Sequence, residues 1–335
     1  MHSPSLETKK PGLRAEEALP ISLRAARPSL VHRFGDMLFL LRPVLLGPVW
    51  TIYGVGALRA GGRPGWDLAF VSLLVGGVYV HNQLMDVETD RANGKLFLLG
   101  DGHVSRSAAW AIAALTWVAA LAWAATEGAR FWLYLVAFAL GLAYNGRPAG
   151  GASAGGWSCG WKARPWAGLA ANVLAHGPVT FLAGWTAAGG AWSAGMVAAL
   201  PYGTAVGAVY LATTIVDRSG DLSAGKVTWA VRYGPGRTAR MIGALVCTSA
   251  VAAALLGDWW MAAASALAIP WAVALVHNPV PEAAQRVAKL AVTVLACAVA
   301  LRWPPLFALA ALTFVGARLY YRRRFGVRYP NFGPD

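Results

Sequence analysis

Three polar side chains recur at four-residue intervals just after a long apolar run. Asn82, Asp86 and Asp90 lie in HNQLMDVETDRANGK, which follows the run LAFVSLLVGGVYV. If the helix of that run continues, the three side chains share one face, one turn apart. Charged groups at membrane depth face the protein interior or a water-filled cavity and usually mark function. This column of oxygen atoms is therefore a candidate site for a divalent cation.

A second pair of carboxylates stands far downstream in a matching position. Asp217 and Asp221, in TTIVDRSGDLSAGK, are again four residues apart and again end an apolar run. Carboxylates on two helices can hold Mg²⁺, which takes one or two carboxylates together with phosphate oxygens of a substrate. The implied ligand is a diphosphate, and the implied chemistry is ionisation of an allylic C–O bond with pyrophosphate as the leaving group.

The departing pyrophosphate needs cations beside it, and the allylic cation needs unreactive walls. Aromatic faces stabilise positive charge, and the chain has 16 tryptophans and 10 tyrosines that could form such walls. The candidate cations are Arg91, Lys95, Arg147, Lys162, Arg164 and Lys226.

The composition is that of a polytopic membrane protein. Of the 335 residues, 57% are hydrophobic and only 13% are charged, and the mean hydropathy is +0.49. The net charge of +14 resides in short loops between apolar runs. That distribution favours lipid headgroups and a phosphorylated substrate as partners over nucleic acid.

The apolar runs predict an all-α bundle of nine or ten transmembrane helices. Residues 1–35 are expected to form a basic cytoplasmic tail, 36–321 the transmembrane domain, and 322–335 a basic C-terminal tail. The predicted spans are Asp36–Leu58, Asp67 into the first motif, Ser107–Thr126, Arg130–Tyr144, Ala167–Ala187, Ser193–Val216, Thr238–Leu256, Trp259–Val276 and Val287–Tyr320. The last run is long enough for two helices and is interrupted by Arg302, Pro304 and Pro305.

The positive charges orient this bundle. With the N-terminal tail and both acidic motifs in the cytoplasm, only Arg59, Arg63, Arg130 and Arg302 lie outside. The three arginines at 322–324 lie on the cytoplasmic side only if the chain crosses the membrane an even number of times. This favours ten spans over nine. An acidic motif follows both the second and the sixth span, which indicates pseudo-repeated halves around a central cavity. The high Ala, Gly and Arg content is typical of GC-rich bacteria, so a bacterial inner membrane is expected.

The motifs resemble those of the UbiA-type intramembrane prenyltransferases. NQLMDVETD is similar to their NDxxDxxxD motif and DRSGD to their DxxxD motif. YNGRP followed by GWKARPWAGLAAN resembles their Tyr-x-x-x-Pro loop with a downstream Lys and Asn, and GKVTWAVRYG resembles the tail after their second motif. LRP at 41–43 resembles their usual start. The resemblance covers residues 39–239.

By this resemblance the chain would carry out Mg²⁺-dependent transfer of an isoprenoid chain from its diphosphate to an acceptor in the membrane. The acceptor would be an aromatic ring or a phosphorylated sugar or glycerol. The Mg²⁺–diphosphate ligands would be Asn82, Asp86, Asp90, Asp217 and Asp221, and the catalytic groups the four aspartates with Lys162. The substrate-binding residues would be Asn82, Arg91, Lys95, Tyr144, Arg147, Arg164, Asn172 and Lys226.

Three departures from the family pattern bear on the acceptor more than on the metal site. Gln83 replaces the usual Asp, Thr213 replaces a common Lys, and KLFLLGDGHVS replaces a loop that usually contains Arg-Pro. Two other functions remain open. A terpene cyclase would use the same ionisation and quench the cation internally, and a transporter would bind its substrate without releasing pyrophosphate.

Simpler explanations exist for several of these residues. One acidic motif alone is explained equally well by solvated helix-end carboxylates, whereas two motifs at matching positions favour a shared site. The loop lysines and arginines are also accounted for by the excess of positive charge in cytoplasmic loops. Glu88 falls off the Asn82 face, which favours a solvated role. His176, four residues after Asn172, could orient an acceptor, although packing is the simpler account.

Overall fold

The computed structural model describes residues 29–92, 98–146 and 160–330, without the side chains at 88, 89, 91 and 92. Every regular element in these ranges is a helix, as the sequence predicts. The helices are α1 (Leu30–Leu40), α2 (Gly47–Arg59), α3 (Asp67–Ala92), α4 (Arg106–Ala125), α5 (Phe131–Asn145), α6 (Pro165–Leu174), α7 (Thr180–Ala187), α8 (Trp192–Ala198), α9 (Leu200–Val216), α10 (Arg218–Ser223), α11 (Trp229–Tyr233), α12 (Pro235–Leu255), α13 (Trp259–His277), α14 (Pro281–Arg302) and α15 (Pro305–Phe325).

The first predicted span, Asp36–Leu58, is broken into two helices. α1 ends at Leu40, and a 3₁₀ turn over Pro43–Leu46 precedes α2. Pro43 has no N–H to donate and disfavours helical geometry in the residue before it, so α1 cannot run through this point. Arg42 instead adopts a left-handed backbone conformation with φ of 52°, and its side chain lines a central cavity.

Six helical segments in the described ranges are long and apolar enough to cross a membrane, with Leu30–Arg59 counted as one. The pair α8 and α9, bent by 41°, makes a seventh if it is taken as one span. The other predicted spans are helical but depart from a simple crossing. α5 has 15 residues, a π-helical turn separates α6 from α7, and α15 ends in three arginines. The predicted nine or ten spans therefore exceed the number that meet these criteria.

The last apolar run is interrupted where the sequence predicts. α14 ends at Arg302 and α15 begins at Pro305. Asp36 of α1 accepts a hydrogen bond from the Tyr320 hydroxyl and lies 3.4 Å from the Arg324 guanidinium, both on α15. The first and last helices therefore meet at one end of the bundle.

The opposite end of the bundle holds the arginines that the sequence places outside. Arg59, at the end of α2, and Arg302, at the end of α14, line one cavity with Asp258. The Arg59 guanidinium lies 2.9 Å from the Asp258 carboxylate. Arg130 pairs with Asp67 at the start of α3, at 2.7 Å. The positive charges are thus divided between the two ends as the loop pattern predicts.

Small residues allow the helices of the bundle to approach closely. A Cβ on Gly56 would lie 2.1 Å from the Phe181 carbonyl oxygen, and one on Gly184 would lie 2.0 Å from the Tyr53 carbonyl oxygen. α2 and α7 therefore cross with their backbones in contact, which only glycine permits. The buried core has one cluster centred on α2, α3, α4 and α7 and another on α9, α12 and α13. α14 packs against both α2 and α9 and closes the bundle.

Candidate active site

α3 continues unbroken through the first acidic motif, as the spacing predicts. Asn82, Asp86 and Asp90 therefore share one helix face. Asp86 is only 8% exposed. Its Oδ2 accepts a hydrogen bond of 3.1 Å from the Asn82 amide nitrogen. The first two positions of the column are thus coupled through one turn of helix.

Two lysines from distant parts of the chain converge on one oxygen of Asp86. Lys162 Nζ and Lys226 Nζ each lie 2.8 Å from Oδ1. Lys162 lies in a 3₁₀ turn before α6, and Lys226 lies between α10 and α11. Burial lowers the pKa of the Lys226 ammonium, but the facing Asp86 carboxylate outweighs it and holds the pKa above its ordinary value. Asp86 is therefore an anion held between two buried cations.

Lys226 also connects the second acidic motif to the first. Its main-chain N–H donates to the Asp221 carbonyl oxygen at 2.8 Å. Asp217 is the C-cap residue of α9, and the N–H of Asp221 on α10 donates to the Asp217 carbonyl oxygen at 2.9 Å. Thr228 Oγ1 donates to Asp221 Oδ2 at 2.9 Å. The structure thus brings residues of both motifs to one lysine.

The third carboxylate of the column faces an arginine that the residue-by-residue sequence argument did not single out. Arg42 Nη2 lies 3.5 Å from Asp90 Oδ2, and both side chains are mostly buried. Arg42 belongs to the LRP segment, which the sequence analysis compared with the usual start of the family without giving the arginine a role. The left-handed backbone at Arg42, which no sequence pattern reveals, directs the side chain toward the cavity.

Asn145, another residue that the sequence argument missed, fixes the orientation of Asn82. Asn145 is fully buried, and its Oδ1 accepts a hydrogen bond of 2.8 Å from the Asn82 amide nitrogen. Its own amide nitrogen donates to the Val78 carbonyl oxygen at 3.4 Å. The Val78 carbonyl and the Asp86 carboxylate can only accept hydrogen bonds. The Asn145 and Asn82 side chains must therefore turn their amide nitrogens toward these acceptors, which fixes the orientation of both amides. The Asn82 oxygen is consequently turned away from these partners and is available to a ligand.

A first cavity of about 370 Å³ adjoins this polar network. It lies between α3, α5 and the α6–α7 segment, and its polar end includes Arg42, Asn82, Asn145 and Asp217. The remaining walls are mostly aliphatic. A second cavity of about 290 Å³ lies among α2, α9, α12, α13 and α14.

The two cavities share part of their walls. Tyr79, Asn172, His176 and Thr213 line both. The predicted substrate-binding residue Tyr144 lines the first cavity together with Asn172. Of the tryptophans and tyrosines that the sequence offers for such walls, the described residues of these two linings include tyrosines and no tryptophan. Described tryptophans lie instead in the core, such as Trp50 and Trp229, or on the exterior, such as Trp66 and Trp132.

The structure does not place every predicted site residue at this site. Lys95 and Arg147 fall outside the described residues, as do the side chains of Arg91 and Glu88. Arg164 is exposed at the start of α6. Among the predicted cations, Lys162 and Lys226 have a described contact with an acidic motif.

The candidate metal ligands supply only oxygen atoms. Within the described ranges, no three His, Cys, Asp or Glu side chains are grouped closely enough to hold one ion. Mg²⁺ prefers oxygen ligands and usually takes one or two carboxylates, with water or phosphate completing its shell. The residues present therefore fit Mg²⁺ shared with a phosphate group, and do not form an all-protein cage.

Comparison with known proteins agrees with this architecture. The sequence model of the UbiA prenyltransferase family matches residues 48–291. The chain has no significant match among curated protein sequences.

Solved structures share the fold at low sequence identity. A UbiA homologue from Archaeoglobus fulgidus bound to GPP and Mg²⁺ is 20% identical, with a TM-score of 0.60 over 82% of this chain and 99% of that one. A digeranylgeranylglyceryl phosphate synthase is 17% identical, with a TM-score of 0.57 over 84% and 98%. A UbiA homologue from Aeropyrum pernix K1 is 16% identical, with a TM-score of 0.53 over 82% and 98%. At these identities the likeness establishes the fold.

Proposed function

The chain belongs to the UbiA prenyltransferase family, and we propose that it transfers an isoprenoid chain from its diphosphate to an acceptor within the membrane in a Mg²⁺-dependent reaction. It is an integral membrane prenyltransferase. The excess of positive charge at the acidic end supports placement in a bacterial inner membrane with the site facing the cytoplasm.

The arrangement of Asp86 between Lys162 and Lys226, beside the first cavity, carries this proposal. A carboxylate column with two buried ammonium groups suits a ligand that has both phosphate oxygens and a divalent cation. The adjoining cavity is mostly apolar, so it suits the hydrocarbon part of the same ligand. An allylic diphosphate combines these two parts. The A. fulgidus homologue bound to GPP and Mg²⁺ supports this choice of ligand class.

The proposed metal ligands are Asn82, Asp86, Asp90, Asp217 and Asp221. Mg²⁺ bound there would neutralise the diphosphate and make it a better leaving group. Lys162 and Lys226 lie where they can donate hydrogen bonds to phosphate oxygens as negative charge develops on them. Arg42 is placed to do the same beside Asp90.

The other residues bind and enclose the donor. The first cavity would hold the isoprenoid chain away from water, and the rings of Tyr79, Tyr134 and Tyr144 in its wall would stabilise the allylic cation. Arg91, Lys95, Arg147 and Arg164 are proposed to attract the diphosphate at the surface, and Asn172 to contact substrate at the cavity junction.

Pyrophosphate release tests the proposal directly. Purified protein in detergent would be given farnesyl or geranylgeranyl diphosphate with Mg²⁺ or with EDTA, and wild type compared with Asp86→Ala and Asp217→Ala. Release that requires Mg²⁺ and both aspartates is expected. No release from either donor by folded wild-type protein would contradict the proposed ionisation. A cyclised product formed without any acceptor would identify a terpene cyclase instead.

A further inference from the structure

The second cavity differs from the first in its charge. The first has Arg42 and Asp217 in its wall, whereas the second has no Lys, Arg, Asp or Glu in the described residues that line it. Its polar groups are hydroxyls, one amide and one imidazole, contributed by Thr51, Tyr79, Asn172, His176, Tyr210, Thr213, Ser249 and Ser265.

A phosphorylated acceptor does not fit such a cavity. Transfer of an unpaired ionised group from water into apolar surroundings costs several kcal/mol or more. Ser249 and Ser265 do not compensate, because their hydroxyls are hydrogen-bonded to each other at 3.0 Å. A neutral molecule therefore fits this cavity better than a phosphorylated sugar or glycerol, and of the two acceptor classes considered above this favours the aromatic one.

His176 stands where the two cavities meet. It lies on the π-helical turn Ala175–Val179, which contains Pro178 and widens the helix at this point. Such turns are frequent at functional sites. A Cβ on the neighbouring Gly177 would lie 2.7 Å from Gly203 Cα, so the turn is pressed against α9 and its position is fixed.

The imidazole of His176 is open to the cavities. The residue is half-buried and lines both of them. Within the described part of the chain, no hydrogen bond or ion pair engages its ring. A neutral imidazole has one nitrogen that can accept a proton. This nitrogen is free to act on a molecule held in the second cavity.

We propose that the second cavity is the acceptor site, that the acceptor is a neutral aromatic compound bearing a hydroxyl group, and that His176 accepts the proton the acceptor loses. This rests on the proposed prenyl transfer. The donor occupies the first cavity, and its allylic carbon meets the acceptor at the shared wall of Tyr79, Asn172, His176 and Thr213.

The reaction balances without any further reagent. The allylic C–O bond of the donor breaks, and its electron pair leaves with pyrophosphate. A ring carbon of the acceptor gives an electron pair to the allylic carbon and forms a C–C bond. The proton on that ring carbon passes to the free nitrogen of His176, and the C–H electron pair restores the aromatic ring.

The test measures pyrophosphate and prenylated product together. Labelled geranylgeranyl diphosphate and Mg²⁺ are supplied with methylhydroquinone, with 4-hydroxybenzoate, which carries a carboxylate, or with glycerol 1-phosphate. Wild type is expected to prenylate methylhydroquinone and neither charged compound. In His176→Asn and His176→Gln, the share of ionised donor that ends in prenylated product should fall about 100-fold, the usual size of a general-base contribution.

Variants that fill one cavity at a time distinguish the roles of the first and second cavities. Ala205→Phe fills the second cavity and should abolish transfer, whereas Ala137→Phe fills the first and should raise the KM for geranylgeranyl diphosphate. His277→Asn, exposed at the end of α13, is the matched control and should transfer as wild type does.

The outcomes distinguish this inference from the function on which it rests. Without Mg²⁺-dependent pyrophosphate release, prenyl transfer itself is wrong. With release intact, three results would overturn the inference: no transfer to methylhydroquinone, transfer to either charged compound, or an unchanged share of product in both His176 variants.

Discussion

Lys226 extends from the second acidic motif to within 2.8 Å of Asp86 in the first, across 140 positions of sequence. Its backbone is bound to Asp221 at the same time. The two motifs are therefore not independent sites, because a movement of one is transmitted to the other through this side chain. Lys162 reaches the same carboxylate oxygen from a third part of the chain.

Because the two lysines share one oxygen, their contributions should not add. Lys162→Met and Lys226→Met would each leave Asp86 with one cation, and the double variant would leave it with none. The KM for farnesyl diphosphate should rise in each single variant, and the double variant should differ from the product of the two effects, as expected for residues in one network. A double-mutant cycle on kcat/KM measures this coupling, and strictly additive effects would contradict the shared geometry.

Neutralising Asp86 should be far more harmful than neutralising an acid at the other end of the bundle. Asp86→Asn removes the anion that Lys162 and Lys226 share and also removes a candidate metal ligand. Pyrophosphate release should fall at least about 100-fold, in line with the loss of one preorganised electrostatic group. Asp67→Asn, which breaks a partly exposed pair with Arg130, is the control and should retain near-normal release.

Asn145 should affect the metal dependence of the reaction. In Asn145→Leu the Asn82 amide loses the partner that fixes its direction, so the Mg²⁺ concentration for half-maximal release should rise by about 10- to 100-fold, as for other groups that orient metal ligands. Asn145→Asp keeps an oxygen acceptor and should be less affected. Mg²⁺-dependent thermal stabilisation in the presence of pyrophosphate gives a readout independent of turnover. An unchanged Mg²⁺ dependence in Asn145→Leu would contradict the positioning role.

The crossing of α2 and α7 should not tolerate a methyl group. Gly56→Ala would place a Cβ against the Phe181 carbonyl and should prevent folding or lower the thermal midpoint strongly. Gly316→Ala on α15 meets nothing within 4 Å, and should be neutral or stabilising by up to about 1 kcal/mol. Thermal unfolding in detergent compares the two substitutions, and equal stability would mean that the helices do not cross as described.

Asp258 should be important for stability rather than for catalysis. Its carboxylate binds Arg59 at 2.9 Å and the Tyr202 hydroxyl at 2.5 Å, and it is 2% exposed. Asp258→Ala should cost about 3–5 kcal/mol of unfolding free energy, because it leaves a charge largely buried without its partner. Tyr202→Phe should cost about 1–3 kcal/mol. Protein that remains folded should release pyrophosphate normally, since this cluster lies at the end opposite to Asp86.

Local patterns in the sequence predicted the helices, the two acidic motifs and the ends of the bundle at which the arginines lie. Each of these depends on spacing or composition within one segment. The contacts of Arg42 with Asp90 and of Asn145 with Asn82 depend on a left-handed backbone and on the packing of α3 against α5, neither of which a single segment encodes. The role proposed for the second cavity could not be predicted either, because its lining comes from seven α-helices and the π-helical turn, and each residue is of a common type.

The contacts of Lys162 and Lys226 with Asp86 also affect how the helical bundle assembles in the membrane. A chain inserted into a bilayer must settle its helices before any diphosphate can enter, and a bare carboxylate at that depth would oppose assembly. Lys162 and Lys226 act as resident counterions that allow the bundle to form without its cargo. Under the proposed function, folding and loading are therefore separate events: the diphosphate would take over the ammonium groups from Asp86 in an exchange of ion partners and would not build the site itself.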